Sequence, residues 1–162
     1  MLPKPIAVAS IKSGQLEMFE TTATGFFKLF KNDFIDLDIR EKYFLGFDPE
    51  NYRLQLPINS EIRSFLACID RDVIGGLQLS ENTLSFFTRG DFRRLGFATE
   101  MVTAATDHFL ASCYSYRIWA RTLRSNDASR RVLEKSGFRE VCLEYRTLNN
   151  GFRVAIVLHE KS

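Results

Sequence analysis

The sequence predicts an α+β protein built on a central, mixed and mostly antiparallel sheet flanked by helices. Two observations carry this. From Arg63 to the C-terminus, period-two alternation and helical spacing take turns. Turn signals at Asp70-Arg71-Asp72 and Asn149-Asn150-Gly151 join neighbouring strands as hairpins. At 162 residues, with 45% hydrophobic and 26% charged side chains, the chain suits one globular domain spanning 1–162.

The N-terminal part is read first. Gln15 to Lys31 is expected to contain a helix, with Leu16, Phe19, Phe26, Phe27 and Phe30 as its apolar set. Gly25 weakens that helix, because a mid-helix glycine costs about 1 kcal/mol against alanine. A second helix is expected over Asp36 to Phe47, and Asp48-Pro49 and Leu56-Pro57 mark breaks. Phe65, Ala67 and Ile69 alternate with Leu66 and Cys68, giving a strand buried on both faces. Val73 to Leu79 is its return strand, and Leu84 to Thr88 a further short one.

A polar stretch, Arg89 to Arg94, then leads into a helix beginning near Gly96–Ala98. Ala98, Met101, Val102, Ala105 and Phe109 form its inward stripe. Tyr116 to Arg121 alternates as a strand. Asn126 is a good N-cap for a short helix with Ala128, Val132 and Leu133 inward, and Gly137 a good terminator. Val141, Leu143 and Tyr145 alternate on the next strand, and Phe152 to Leu158 is the last.

Bulk properties narrow the function. A net charge of +2 is too mild for a nucleic-acid domain, and the arginines between Arg89 and Arg139 suit a small polyanion instead. Cys68, Cys113 and Cys142 are far apart, no CxxC occurs, and only two histidines are present, so no metal site is expected. An odd cysteine count, no apolar signal segment and no membrane-length apolar run point to a cytoplasmic protein with reduced thiols.

Arg93-Arg94-Leu95-Gly96-Phe97-Ala98 lies where a strand enters a helix. Backbone N–H groups there lack intrahelical partners, and the helix dipole adds partial positive charge. A phosphate or pyrophosphate fits such a place, and Arg93 and Arg94 can add charge-assisted contacts. Neither a P-loop nor a dinucleotide fingerprint is present.

This segment resembles the [Q/R]-x-x-G-x-[G/A] acyl-CoA motif of the GNAT superfamily, and Gly96-Phe97-Ala98-Thr99-Glu100 resembles the G-[FY]-A-T-E of its Rim-type branch, the ribosomal-protein N-terminal acetyltransferases and their relatives. A second block, Asn126 to Phe138, is similar to that branch's N-x-A-S-x-x-V-L-E-K-x-G-F. The likeness covers about residues 63–160. It implies a GNAT-like fold with splayed strands, residues 61–160 as the CoA-binding core and residues 1–60 as acceptor-side helices.

The resemblance implies a site residue by residue. The CoA pyrophosphate would lie on the amides of Arg94, Leu95, Gly96, Phe97, Ala98 and Thr99, beside Arg93. The pantetheine arm would run along the main chain of Phe86, Phe87 and Thr88, with Asn126 hydrogen-bonded to it and Arg130 within reach of a phosphate. An amine would attack the thioester directly. Many GNAT enzymes place a tyrosine acid where this chain has Leu133, so Ser129 is the first choice for that role, with Glu81 and Tyr145 as further catalytic candidates and Glu144 beside Tyr145. The implied reaction is N-acetylation of a protein N-terminus or a small amine by acetyl-CoA, as a monomer or homodimer and without a metal. The alternative is a non-catalytic CoA-binding or interaction domain of the same fold. The final hairpin lacks the N-G-x-x-x-D aspartate common among Rim-type relatives, which leaves the acceptor open.

Overall fold

The computed structural model describes residues 11–45, 47–48, 53–54, 61–112 and 116–162. Ten strands and four α-helices follow in the order β1 (Ile11–Ser13), β2 (Leu16–Thr21), α1 (Ala23–Ile35), α2 (Ile39–Phe44), β3 (Phe47–Asp48), β4 (Arg53–Leu54), β5 (Ile62–Ile69), β6 (Asp72–Ser80), β7 (Thr83–Thr88), α3 (Phe97–Ala111), β8 (Ile118–Leu123), α4 (Asp127–Lys135), β9 (Arg139–Thr147) and β10 (Arg153–Lys161). Eight strands form one sheet in the order β1-β2-β5-β6-β7-β8-β10-β9, and β3 pairs with β4 separately. Every pairing is antiparallel except β7 with β8. The expected α+β architecture is the observed one.

The N-terminal expectation needs correction. Leu16 to Thr21 is a strand, and the helix starts at Ala23. Leu16 and Met18 are both buried at spacing two, which is strand periodicity. Thr22 then caps α1, its hydroxyl accepting the Gly25 N–H at 3.0 Å. Gly25 therefore sits in the first turn, where its N–H serves the cap. Helix α2 is shorter than expected, ending at Phe44. The breaks expected at Asp48-Pro49 and Leu56-Pro57 involve residues outside the described ones, as does Cys113.

Two hydrophobic layers enclose the sheet. On one face α3 buries Met101, Val102, Ala105 and Phe109 against strand residues including Leu77, Leu84, Ile118 and Ala120. On the other, α1 buries Phe26, Phe30 and Phe34 with Leu66. The second layer depends on Gly76, where a Cβ would come within 2.5 Å of both the Phe26 ring and the Phe65 carbonyl. In α4, Leu133 is fully buried, as expected, while Ala128 faces solvent.

A buried histidine gives the fold a pH dependence. His159 on β10 is 1% exposed, with Nε2 at 3.0 Å from the Thr122 hydroxyl. Burial holds its pKa below the ordinary 6.5, Glu140 opposing and Arg130 reinforcing that shift. The folded state thus favours the neutral ring. Its contribution is whole above the unfolded pKa and is lost as pH falls through the folded one. Urea unfolding is expected to show stability falling from about pH 7.5 to about pH 5, with a flatter profile in His159→Gln.

Candidate functional site

The single parallel contact organises the site. Strands β7 and β8 pair only at Thr83↔Trp119 and Leu84↔Ala120. The Trp119 N–H closes that end by donating to the Asn82 carbonyl at 2.7 Å. Beyond it the strands have no common register, so their C-terminal halves part into a gap. The Arg89 N–H donates to Ile74 O, which fixes the alternation of β7 against β6. By that alternation Ser85 and Phe87 pair with β6, and the main-chain groups of Phe86 and Thr88 turn towards the gap. The side chains point elsewhere: Phe86 packs on the α3 layer and Phe87 on the α1 layer.

Both helices that follow these strands begin at the open end of the gap. After β7, Arg94 has φ +63° and Gly96 φ +84°. Gly96 is the N-cap of α3 and has no side chain to offer the first turn. Its carbonyl accepts from the Glu100 N–H at 3.1 Å, which leaves the N–H groups of Phe97, Ala98 and Thr99 ahead of the intrahelical ladder. A Cβ on Gly96 would meet nothing within 4 Å, so backbone conformation, with open space above it, selects glycine here. Arg93, Arg94 and Leu95 are exposed around this turn. The Arg93 Nε donates to Thr88 O at 3.0 Å, with its guanidinium over the Phe87 ring. Arg94 makes no ion pair among the described residues.

After β8, Asn126 caps α4: its Oδ1 accepts the Ser129 N–H at 3.1 Å. That oxygen is used by the fold, and Nδ2 remains to donate. Ser129 is half-buried in the first turn, and its hydroxyl makes no hydrogen bond among the described residues. Arg130 is engaged elsewhere, bonded to Glu140 at 2.7 and 2.9 Å and close to Asp127 and the Arg124 carbonyl. Leu133 lies fully buried in the α3 layer.

The fold therefore brings together Phe86 to Thr88, Arg93 to Thr99, Asn126 and Ser129. It does not bring in Glu81 or Tyr145. Glu81 sits in the β6–β7 turn beyond the closed end of the gap, roughly 20 Å along the strand from Thr88. Tyr145 is on the outer strand β9, two strands from β8, exposed and stacked with Arg153. Its neighbour Glu144 lies 3.7 Å from Arg121.

A cleft of about 750 Å³ lies between the end of β8, the start of β10 and the α2 region. Leu123, Arg124 and Ser125, the segment joining β8 to Asn126, form its wall on that side. Asp38, Arg40 and Glu41 of the α2 region face them, and Arg153 lines it from β10. Asp38 caps α2 through the Arg40 N–H at 2.9 Å, a bond that lowers its carboxyl pKa. No sequence motif marks Asp38, Arg40, Glu41, Arg124 or Arg153 as cleft residues. The Asp38 cap of a short helix was the only local signal available.

Residues 63–139 match the family model described as acetyltransferase (GNAT) domain. A search of curated proteins found no match. Among solved structures, the chain is similar to a ribosomal alpha-N-protein acetyltransferase, RimL, in complex with coenzyme A, at 15% identity and TM-score 0.70, over 94% of this chain and 97% of that one. It is similar to spermidine N-acetyltransferase from Vibrio cholerae in complex with CoA and spermine, at 18% identity and TM-score 0.70, over 91% and 95% of the two chains. A GNAT-family acetyltransferase from Bacillus anthracis aligns at 18% identity and TM-score 0.71, over 94% and 98%. At these identities the likeness establishes a shared fold.

Proposed function

We propose that the chain, whose residues 63–139 match the acetyltransferase (GNAT) domain model, transfers an acetyl group from acetyl-CoA to a primary amine. The observation that carries this reading is the gap between β7 and β8, with an uncapped helix entrance at its open end. The cosubstrate's chemistry fits the residues present. Its pyrophosphate needs N–H donors and positive potential, which Arg94 to Thr99 offer at the start of α3. Its pantetheine amides need main-chain partners, which Phe86 and Thr88 turn towards the gap. Asn126 Nδ2 would donate to the same arm. Arg130 is left out of this assignment because Glu140 holds it.

The amine enters through the cleft, whose Leu123–Ser125 wall leads to Asn126 and Ser129. Its nitrogen attacks the thioester carbonyl, the C–N bond forms, the C–S bond breaks, and the thiolate leaves with a proton from the Ser129 hydroxyl. Holding the two reactants together supplies much of the rate. The amine's own proton passes through water to the Ser129 oxygen, which regains the proton it gave to the thiolate. An α-amine, with an ordinary pKa of about 8 against about 10.4 for lysine, suits a site with so weak a base. Among the cleft's lining residues, with Arg130 paired to Glu140, Arg40, Arg124 and Arg153 balance Asp38, Glu41 and Asp127, so the cleft carries no net negative field. A polyamine would need a net negative field. A protein N-terminus is therefore the preferred acceptor.

The test is turnover. The protein is incubated with acetyl-CoA and a panel of free-amino-terminal peptides and small amines including spermidine, and products are weighed by mass spectrometry. Acetylated peptides are expected, with spermidine poor. CoA binding without any acetylated product would favour the non-catalytic reading, for which fully buried Leu133 at the usual tyrosine position is the supporting observation. Ser129→Ala retains the N–H that Asn126 caps, so its effect reads the hydroxyl. It is expected to lower kcat about 10² to 10⁴-fold with KM for acetyl-CoA nearly unchanged.

A further inference from the structure

Four arginines line the cleft, and two of them lack an acidic partner among the described residues. Arg40 is bonded to Asp38 at 3.3 Å, and Arg130 to Glu140 at 2.7 Å. Arg124 and Arg153 make no ion pair among the described residues, and both are exposed to the cleft.

The sheet sets these two side by side. The Arg124 N–H donates to the Ala155 carbonyl at 2.8 Å, which carries the β8–β10 register one step beyond Leu123 and Ile156. Arg124 therefore stands opposite Ala155. Arg153, two residues along β10, is its diagonal neighbour on the same face, about 7–8 Å away. The Arg153 guanidinium lies over the Tyr145 ring at 5.1 Å, which steadies its flat side and leaves its N–H edge open. Two like charges at this spacing repel unless an anion sits between them. The side chain between them is only the methyl of Ala155, at the position where an N-G-x-x-x-D pattern counted from Asn150 would put an aspartate. The acids lining the cleft stand elsewhere: Asp38 on Arg40, Asp127 3.4 Å from Arg130, and Glu41 on α2.

We propose that Arg124 and Arg153 together bind a carboxylate of the acceptor, and that the preferred acceptor is a peptide with aspartate or glutamate at its second or third residue. The inference rests on the acceptor entering by this cleft. Arg130 Nη1 donates to the Arg124 carbonyl at 3.3 Å, so Arg124 lies beside the first turn of α4, which holds Ser129. Extended chain advances about 3.3 Å per residue, so an amine at Ser129 brings the second or third side chain within reach of the two guanidinium groups. A guanidinium takes a carboxylate through two parallel charge-assisted bonds, which an amide side chain cannot match.

The test compares C-terminally amidated peptides that differ only at the second and third residues, aspartate against asparagine. Acetylation by the wild-type protein is expected to favour the aspartate peptides at least about ten-fold in kcat/KM. That ratio should fall in Arg124→Gln and in Arg153→Gln, and approach one in the double variant. Ala155→Asp keeps both arginines but gives them an internal carboxylate, so it too should bring the ratio towards one. Thermal melting verifies that each variant folds. Equal turnover of aspartate and asparagine peptides overturns the inference and leaves the acetyltransferase reading intact. So does a preference that all the variants keep. If no peptide or amine is acetylated, the acetyltransferase reading fails instead. Calorimetric titration of the same peptides in the presence of CoA then tests the arginine pair by itself: aspartate peptides must bind at least about ten-fold tighter than asparagine peptides, or the inference falls.

Discussion

Gly96→Glu is expected to abolish acetyl-CoA binding, with a loss of at least about 100-fold in affinity, equivalent to about 2.7 kcal/mol. Position 96 is the N-cap of α3, with φ +84° and open space above the Cα. A glutamate there puts a carboxylate where the helix entrance would receive the pyrophosphate. It also gives the three leading N–H groups an internal acceptor. A Cβ there meets nothing within 4 Å, so the fold should survive. The left-handed conformation costs an L-residue about 1–2 kcal/mol, and Gly96→Ala isolates that cost. Alanine should lower stability by that amount and weaken binding far less than glutamate does. Calorimetry and thermal melting on both variants separate charge from strain. Normal binding by the glutamate variant would mean the cradle is misassigned.

Phe30→Ala is expected to destabilise the protein by about 3–5 kcal/mol. Phe30 is fully buried at the centre of the α1 layer. Its ring centroid lies 4.8 Å from that of Phe26 and 5.5 Å from that of Phe87, and Arg89 sits over its other side at 5.2 Å. Arg89 in turn donates to Leu29 O and Val73 O and pairs with Asp33. Truncation therefore opens a cavity and loosens the clamp between α1 and β7, the strand whose main chain faces the gap. Urea unfolding measures the loss. A change below about 1 kcal/mol would show that the surrounding rings collapse into the space.

The parts of this chain that could be read in advance are the parts whose structure is local. Arg93 to Thr99 and Asn126 to Phe138 are short segments whose turn, cap and helix are fixed by neighbours in sequence. They stand at the two helix entrances, the starts of α3 and α4. The N-terminal segment misled because two periods overlap in it: Leu16 and Met18 repeat every two residues, while Phe26, Phe30 and Phe34 repeat every four. The cap at Thr22 is the boundary between them.

Side-chain roles set by distant partners were not legible. Nothing near Arg130 in sequence reveals that Glu140, ten residues on, holds its guanidinium. Glu81 looked near the reacting strand in sequence, yet it lies beyond the end that Trp119 and Asn82 close. The cleft combines α2, the end of β8 and the start of β10, segments separated by up to about a hundred residues, and no local pattern announces it. The proposed donor site is thus legible in the chain, and the proposed acceptor cleft only in the fold.

The central claim is that the gap between β7 and β8 receives an acyl-CoA. Calorimetric titration of acetyl-CoA into the wild-type protein tests it most directly. Saturable binding in the micromolar range is predicted, with competition by free CoA and loss in Gly96→Glu. Absence of saturable heat up to high micromolar acetyl-CoA would contradict it.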